Sequence, residues 1–433
     1  MREAAHYRGT MAERILSRKV GRQVWAGEFV VAAVDGAMAS DVTGPQAIKS
    51  FEALGDGPLF DPERVSLVID HAAPAPNERV AALHQRLRRF AEEKGCHLYE
   101  VGEGICHQLM IEDRRVRPGE LFIGADSHSC TYGAVAAFGT GVGSTDLAAI
   151  MHTGKTWLRV PETIRVEVEG ALPKNCSAKD LTLYIVGTVG LAGATYQALE
   201  YHGEAIEAMS LDSRMTLANM TVEMGGKVGL VSPRGLRGYD EVLADGGLEA
   251  LLPSADARYH RTLNIDAGAL TPQISLPSSP DRVRPLAALP AGKKISYGFI
   301  GTCANGRLED LREAARILAG QRLARGVRLL IAPASKQVFK EALLDGTAIT
   351  LMEAGATFIA SGCGPCVGTH QGVPGQGEVV ISTANRNFPG RMGNRGAEVY
   401  LASPAMVAAS VLKGEICAEE PPAGAHLAQE VHR

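Results

Sequence analysis

The chain has few cysteines for its length, no long apolar run and no run rich in lysine or arginine, and each shortage removes a class of protein. Eight cysteines in 433 residues are too few for a disulfide scaffold, so a reducing compartment, the cytoplasm, is expected. No stretch reaches the roughly 20 uninterrupted apolar residues of a membrane-spanning helix. The opening Met-Arg-Glu-Ala-Ala-His-Tyr-Arg-Gly-Thr lacks the apolar centre of a secretion signal. A formal net charge of −4 gives no broad attraction to nucleic acid or anionic lipid. Nor is there a basic run with interleaved aromatics that would grip RNA. Neither a membrane nor a nucleic-acid partner is expected, and no internal repeat is evident.

What is present suits an ordinary enzyme of two or three domains: 45% of the residues are hydrophobic and 21% charged. The clearest shift in composition runs from Gly268 to Lys294, where Pro272, Pro277, Pro280, Pro285 and Pro290 predict an extended connector without regular elements. A domain boundary is expected there. Beyond it, Ile295–Ile300 reads as a strand, Leu308–Leu318 as a helix, Val327–Ile331 as a strand and Lys336–Leu344 as a helix. Shorter strands are expected at Ala356–Ala360 and Val379–Thr383. Such alternation predicts a mostly parallel sheet with covering helices, an α/β fold whose ligand crevice lies past the carboxyl ends of the strands.

Three cysteines fall at those strand ends: Cys303 in Gly-Thr-Cys-Ala-Asn-Gly-Arg, and Cys363 with Cys366 in Ser-Gly-Cys-Gly-Pro-Cys-Val-Gly. Cys-Gly-Pro-Cys is also a redox dithiol sequence, but such a pair should open a helix, and here Gly368, Gly372, Pro374, Gly375 and Gly377 interrupt any helix within two turns. Two metal readings remain open from spacing alone. Three thiolates on a four-iron cluster leave one iron free to act as a Lewis acid, whereas structural zinc would need a fourth ligand such as His370. Cys96, Cys106, Cys130, Cys176 and Cys417 read as packing residues. Upstream, the strands Val65–Ile69 and Leu121–Gly124 end in Asp70-His71 and Asp126-Ser127-His128. Two carboxylate and imidazole pairs in equivalent places point to acid–base chemistry.

The flanking residues carry a resemblance. The two cysteine motifs, together with Ser-Thr-Ala-Asn-Arg-Asn-Phe-Pro-Gly-Arg-Met-Gly at 382–393, closely resemble the cluster-binding and substrate-binding motifs of the aconitase superfamily. Gly-Ala-Asp-Ser-His-Ser-Cys-Thr-Tyr-Gly at 124–133 and Gly-Thr-Gly-Val-Gly-Ser-Thr-Asp at 139–146 resemble its 3-isopropylmalate dehydratase and homoaconitase large subunits. The resemblance runs from about Met11 to about residue 415. It implies an aconitase-like three-domain α/β core, with mostly parallel sheets around a central iron–sulfur cleft and without the swivelling fourth domain. The expected division is an N-terminal extension at 1–10, domains 1 and 2 at 11–285, domain 3 at 286–418 and a flexible tail at 419–433.

The resemblance also implies roles. Cys303, Cys363 and Cys366 would hold one [4Fe-4S] cluster per subunit. His71 would pair with Asp70, His107 with Asp126 and His128 with Glu223, with His71 as the main proton donor. Ser127, Asn219, Asn305, Asn385, Arg386 and Arg391 would contact a small hydroxy di- or tricarboxylic acid, the arginines as bidentate grips on carboxylate. A separately encoded small subunit would supply the swivel domain, with its serine base and further arginines. Ala304 and Ser129 stand where many relatives have threonine, and Ser40 where aconitases have a substrate-contacting glutamine, which argues against citrate. The leading expectation is interconversion of 2- and 3-isopropylmalate for leucine biosynthesis, with homoaconitase and 2,3-dimethylmalate dehydratase as close rivals. From another class, a zinc-stapled scaffold or an RNA-binding protein are the alternatives.

Overall fold

The computed structural model describes residues 7–239 and 247–417. The first six residues and the tail expected at 419–433 lie outside the described residues. The chain divides into two compact units that are not sequential: Met1–Val101, Cys106–Pro173 and Thr188–Leu270 form one, and Gly102–Ile105, Lys174–Gly187 and Thr271–Arg433 the other. No helix among the described residues is long and apolar enough to cross a membrane.

The first unit holds a five-stranded sheet in the order His97–Tyr99, Val65–Val68, Gly36–Ser40, Leu121–Gly124, Phe138–Gly141. Every neighbouring pair is parallel. Its three inner strands are buried along their whole length, which is why they read as continuous apolar or small-residue runs rather than as alternation. The helix Glu78–Lys94 is polar overall and buries only His84, Leu87, Phe90 and Ala91, a single stripe at helical spacing. Asn77 caps its start through the Val80 N–H, and Gly95, left-handed at φ 69°, ends it. The helix Met11–Val20 begins on a reciprocal capping box between Thr10 and Glu13, and just before it Gly9 is bonded to Ser254.

A second parallel sheet of the same unit runs Val228–Val231, Ala198–His202, Thr163–Glu169, Arg261–Asp266. Against its first strand packs the 3₁₀ segment Ser127–Val135. A β-carbon on Gly133 would lie 1.6 Å from the Gly229 carbonyl oxygen, so only glycine lets this segment approach so closely.

The second unit is built on a seven-stranded sheet in the order Val283–Pro285, Gln273–Ser275, Glu398–Leu401, Val379–Ser382, Tyr297–Ile300, Arg328–Ile331, Thr357–Phe358. The last five strands are mutually parallel, and Gln273–Ser275 is antiparallel to both of its neighbours. The helices Leu308–Leu318 and Lys336–Leu344 occupy the residues expected of them. In the former, Leu311, Ala314, Ala315 and Leu318 form the buried face. The strand expected at Ala356–Ala360 is only the pair Thr357–Phe358.

One expectation fails. The proline-rich stretch Gly268–Lys294 does contain regular structure, the strands Gln273–Ser275 and Val283–Pro285. Proline lacks a ladder donor but is tolerated on an edge strand, and Val283–Pro285 is the edge. Replacing Gly133 by alanine should force apart the segment carrying Ser127 and His128 and the strand Val228–Val231, costing about 3 kcal/mol; chemical denaturation of the Gly133→Ala chain measures this.

Candidate active site and metal centre

In the first unit, the neighbouring parallel strands Gly36–Ser40, Val65–Val68 and Leu121–Gly124 run at their carboxyl ends into Asp41, into Asp70 and His71, and into Asp126, Ser127 and His128. Parallel alignment brings all three to one edge of the sheet. His71 Nδ1 lies 2.8 Å from Asp70 Oδ1 and its Nε2 3.3 Å from Asp126 Oδ2, so both ring nitrogens face carboxylate oxygen. The second oxygen of Asp70 accepts the Cys106 N–H at 2.8 Å. His107, one residue on in the helix Cys106–Glu112, places Nε2 2.8 Å from Asp126 Oδ1 and Nδ1 3.3 Å from the Tyr132 hydroxyl. His128 Nε2 is 2.8 Å from Glu223 Oε1, and the Ser127 hydroxyl is 3.4 Å from its Nδ1.

Asp126 is the hub. It takes His107 and the His128 backbone N–H on one oxygen and His71 on the other. Burial alone would raise its pKa, but the charge and hydrogen bond of His107, and then those of His71, hold it well below the usual carboxylate range. Asn219 is fully buried, and its side-chain amide donates to Thr131 Oγ1 at 2.8 Å while its backbone carbonyl accepts from the Cys130 thiol at 3.2 Å. Both contacts fasten the end of the helix Leu211–Asn219 to the segment that carries His128. Cys130, expected as plain packing, is thus a tie in this scaffold.

In this cluster, sequence reasoning missed Asp41. Its Oδ1 accepts the backbone N–H groups of Asp70 at 3.1 Å and His71 at 2.8 Å, and its Oδ2 accepts Ala72 N–H at 2.9 Å and faces His84 Nε2 at 3.2 Å. One buried carboxylate therefore shapes the turn that presents His71. The signal was available: a charged residue directly follows five small or apolar residues of a buried central strand.

In the second unit, Cys303 follows the strand Tyr297–Ile300, Cys363 caps and Cys366 lies within the 3₁₀ turn Gly364–Val367 after Thr357–Phe358, and Asn385 follows Val379–Ser382. All three thiols are buried, and none is in a disulfide. Asn385, itself buried, reaches two of them, with Nδ2 3.3 Å from Cys303 Sγ and Oδ1 3.8 Å from Cys366 Sγ. Cys366 donates its backbone N–H to the Cys363 carbonyl at 3.2 Å, so the third thiol shares the turn of the second. Arg391 Nη2 is 3.8 Å from Cys366 Sγ, and Arg386, half-buried, directly follows Asn385. Two thiols meeting at Asn385 and a third on the same turn as one of them form a donor set of the type that suits a soft metal.

The Cys303 loop is braced by residues outside the expected set. Thr302 stands at φ 76°, and Thr383 Oγ1 bonds the Gly301 N–H at 3.0 Å and the Asn305 carbonyl at 3.0 Å. Arg307, almost wholly buried, donates to the carbonyls of Ala304 and Cys303. Asp310 accepts Asn305 Nδ2 at 2.8 Å and the Arg307 N–H at 2.9 Å. Lys179, on the helix Ala178–Val189, is fully buried, and burial pulls its pKa down to about 7 against the opposing pull of Asp310, Cys303, Cys366 and Asp180.

A family model described as the aconitase family (aconitate hydratase) matches residues 13–414. A 3-isopropylmalate dehydratase large subunit of Methanopyrus kandleri is 48% identical over 95% of this chain and 99% of its own length. A homoaconitase large subunit of Thermus thermophilus is 50% identical over 95% of this chain and 97% of its own. Among solved structures, holo aconitase X of Thermococcus kodakaraensis shares the fold at a TM-score of 0.50 and 14% identity, covering 83% of this chain and 84% of that one.

The Asp41 carboxyl gives a pH-dependent prediction. Burial pushes its pKa up, but the His84 hydrogen bond, the charge of His71 and the backbone N–H groups win and hold it at about 2, against an ordinary 3.8. A lowered folded-state value means the ionised form stabilises the fold above pH about 4, by about 2 kcal/mol, and that this is lost as pH falls through about 2. In urea unfolding, the deficit of Asp41→Asn relative to wild type should therefore shrink steadily between pH about 4 and about 2.

Proposed function

Because the chain belongs to the aconitase family, we propose that it works as a hydro-lyase, the large subunit of a 3-isopropylmalate dehydratase that interconverts 2- and 3-isopropylmalate in leucine biosynthesis. The substrate assignment leans on the name that recurs among relatives 45–48% identical over nearly their whole length. Conversion of homocitrate and homoaconitate is the second reading, favoured by the 50% identical homoaconitase large subunit.

The chemistry has two obstacles. Hydroxide is a poor leaving group, and the proton beside a carboxylate is weakly acidic. Held by Cys303, Cys363 and Cys366, a [4Fe-4S] cluster would supply a Lewis-acidic iron for a hydroxyl and its neighbouring carboxylate. Three buried thiols, two of them joined through Asn385 and the third on the turn of Cys366, support those three as the ligands. His71 would deliver the proton to the departing hydroxyl, with Asp70 and Asp126 orienting its ring. His107 and His128, fixed by Asp126 and Glu223, would hold and orient the water released and taken up. Arg386 and Arg391 would grip substrate carboxylate, and Ser127, Asn219, Asn305 and Asn385 would complete the polar lining.

The relatives' names describe large subunits, which supports a separate small subunit as partner, carrying the base that removes the carbon-bound proton. Eight cysteines without a disulfide support a reducing compartment, the cytoplasm.

Anaerobic reconstitution tests the reading. The chain should turn brown and bind iron with acid-labile sulfide, yet turn over isopropylmalate well only when a small subunit is added. Zinc in a colourless protein, or full activity without a partner, contradicts it, and a kcat/KM higher for homocitrate than for isopropylmalate favours the second reading. Within the assembled enzyme, His71→Asn should lower kcat by roughly 10²–10⁴-fold with little change in KM.

A further inference from the structure

Lys179 has no place in the expected site, yet it is among the largest fully buried side chains of the protein. Its Nζ donates to the Thr383 carbonyl at 2.7 Å and the Ala384 carbonyl at 2.9 Å. Among the described residues it forms no ion pair. A buried ammonium is normally balanced by an anion, because carbonyl dipoles alone offset only part of the lost hydration. The carboxylate of its chain neighbour, Asp180, is occupied elsewhere, by the N–H groups of Gln273 and Ser177 and the Ser177 hydroxyl.

Asp310, Cys303, Cys366 and Asp180 are near enough to Lys179 to act on it electrostatically. The carbonyls it holds immediately precede Asn385, whose amide spans those two sulfurs. Thr383 also ties this stretch to Gly301 and Asn305 on either side of Cys303. The lysine thus lies behind the thiol-bearing loops within one hydrogen-bonded network.

We propose that Lys179 is the buried counter-charge of the three-cysteine centre, offsetting the negative charge that arises when Cys303, Cys363 and Cys366 bind as thiolates, and fixing Asn385 against them. It is a positioning residue that acts through its field and through the Thr383–Ala384 backbone. The proposal rests on the reading that these cysteines hold an iron–sulfur cluster. A cation close to the centre favours its more negative oxidation level, so removing the charge lowers the reduction potential.

Two variants separate charge from bracing: Lys179→Gln keeps a donor for the carbonyls without the charge, and Lys179→Met removes both. The full-length chains, reconstituted anaerobically with iron and sulfide, are followed by redox titration with electron paramagnetic resonance, by iron release to a chelator, and by Tm with and without cluster. Both variants should show a lower potential, about tenfold faster iron release, and a smaller gain in Tm on cluster binding than wild type. A Gln variant that matches wild type in all three, or losses of Tm equal in the cluster-free and cluster-bound chains, would overturn the counter-charge and leave only a brace. If one variant does not fold, the other decides. Wild-type chain that binds no iron and sulfide would instead defeat the underlying reading.

Discussion

Charge placed in a protein interior must meet an opposite charge or a set of aligned backbone dipoles within hydrogen-bonding distance. That requirement governs both polar clusters of this chain. In the first unit Asp126 is ionised in a buried position because two imidazoles and a backbone N–H converge on it. Asp41 is held ionised by three backbone N–H groups and His84. Each carboxylate can exist only where the surrounding turn is in one conformation, so satisfying the charge and fixing the geometry of His71, His107 and His128 are the same act.

The second unit meets the requirement with the opposite sign. Its buried basic side chains Arg307 and Lys179 donate to backbone carbonyls of the loops bearing Cys303 and Asn385. The same contacts hold loops that carry many glycines and would otherwise be free to move.

Both clusters depend on parallel strands. Parallel neighbours deliver their carboxyl ends to one edge of a sheet, so short segments distant in sequence arrive side by side. Residues 41, 70 and 126 are brought together in this way, as are residues 303, 363 and 385. Close packing then refines the placement, as where Gly133 lets the segment bearing His128 lie against the Gly229 backbone of a second sheet.

Much of this was legible in the chain itself. Apolar runs and helical spacing locate Leu308–Leu318 and Lys336–Leu344 to the residue, because helix faces and caps are local properties. The cysteine motifs and the Asp-His pairs mark the chemistry, since metal binding and proton transfer restrict residue types. Local order did not reveal that Gln273–Ser275 and Val283–Pro285 would find an edge to pair with, because an edge strand is defined by its neighbours rather than by its own composition. Nor did it single out Asp41, Arg307, Asp310 or Lys179, whose residue types are commonplace on a surface. Residue types and their spacing determined the fold class and the reacting groups. Which ordinary charged residues became buried braces was decided only by tertiary structure, because burial and partner distance exist only once remote segments are packed together.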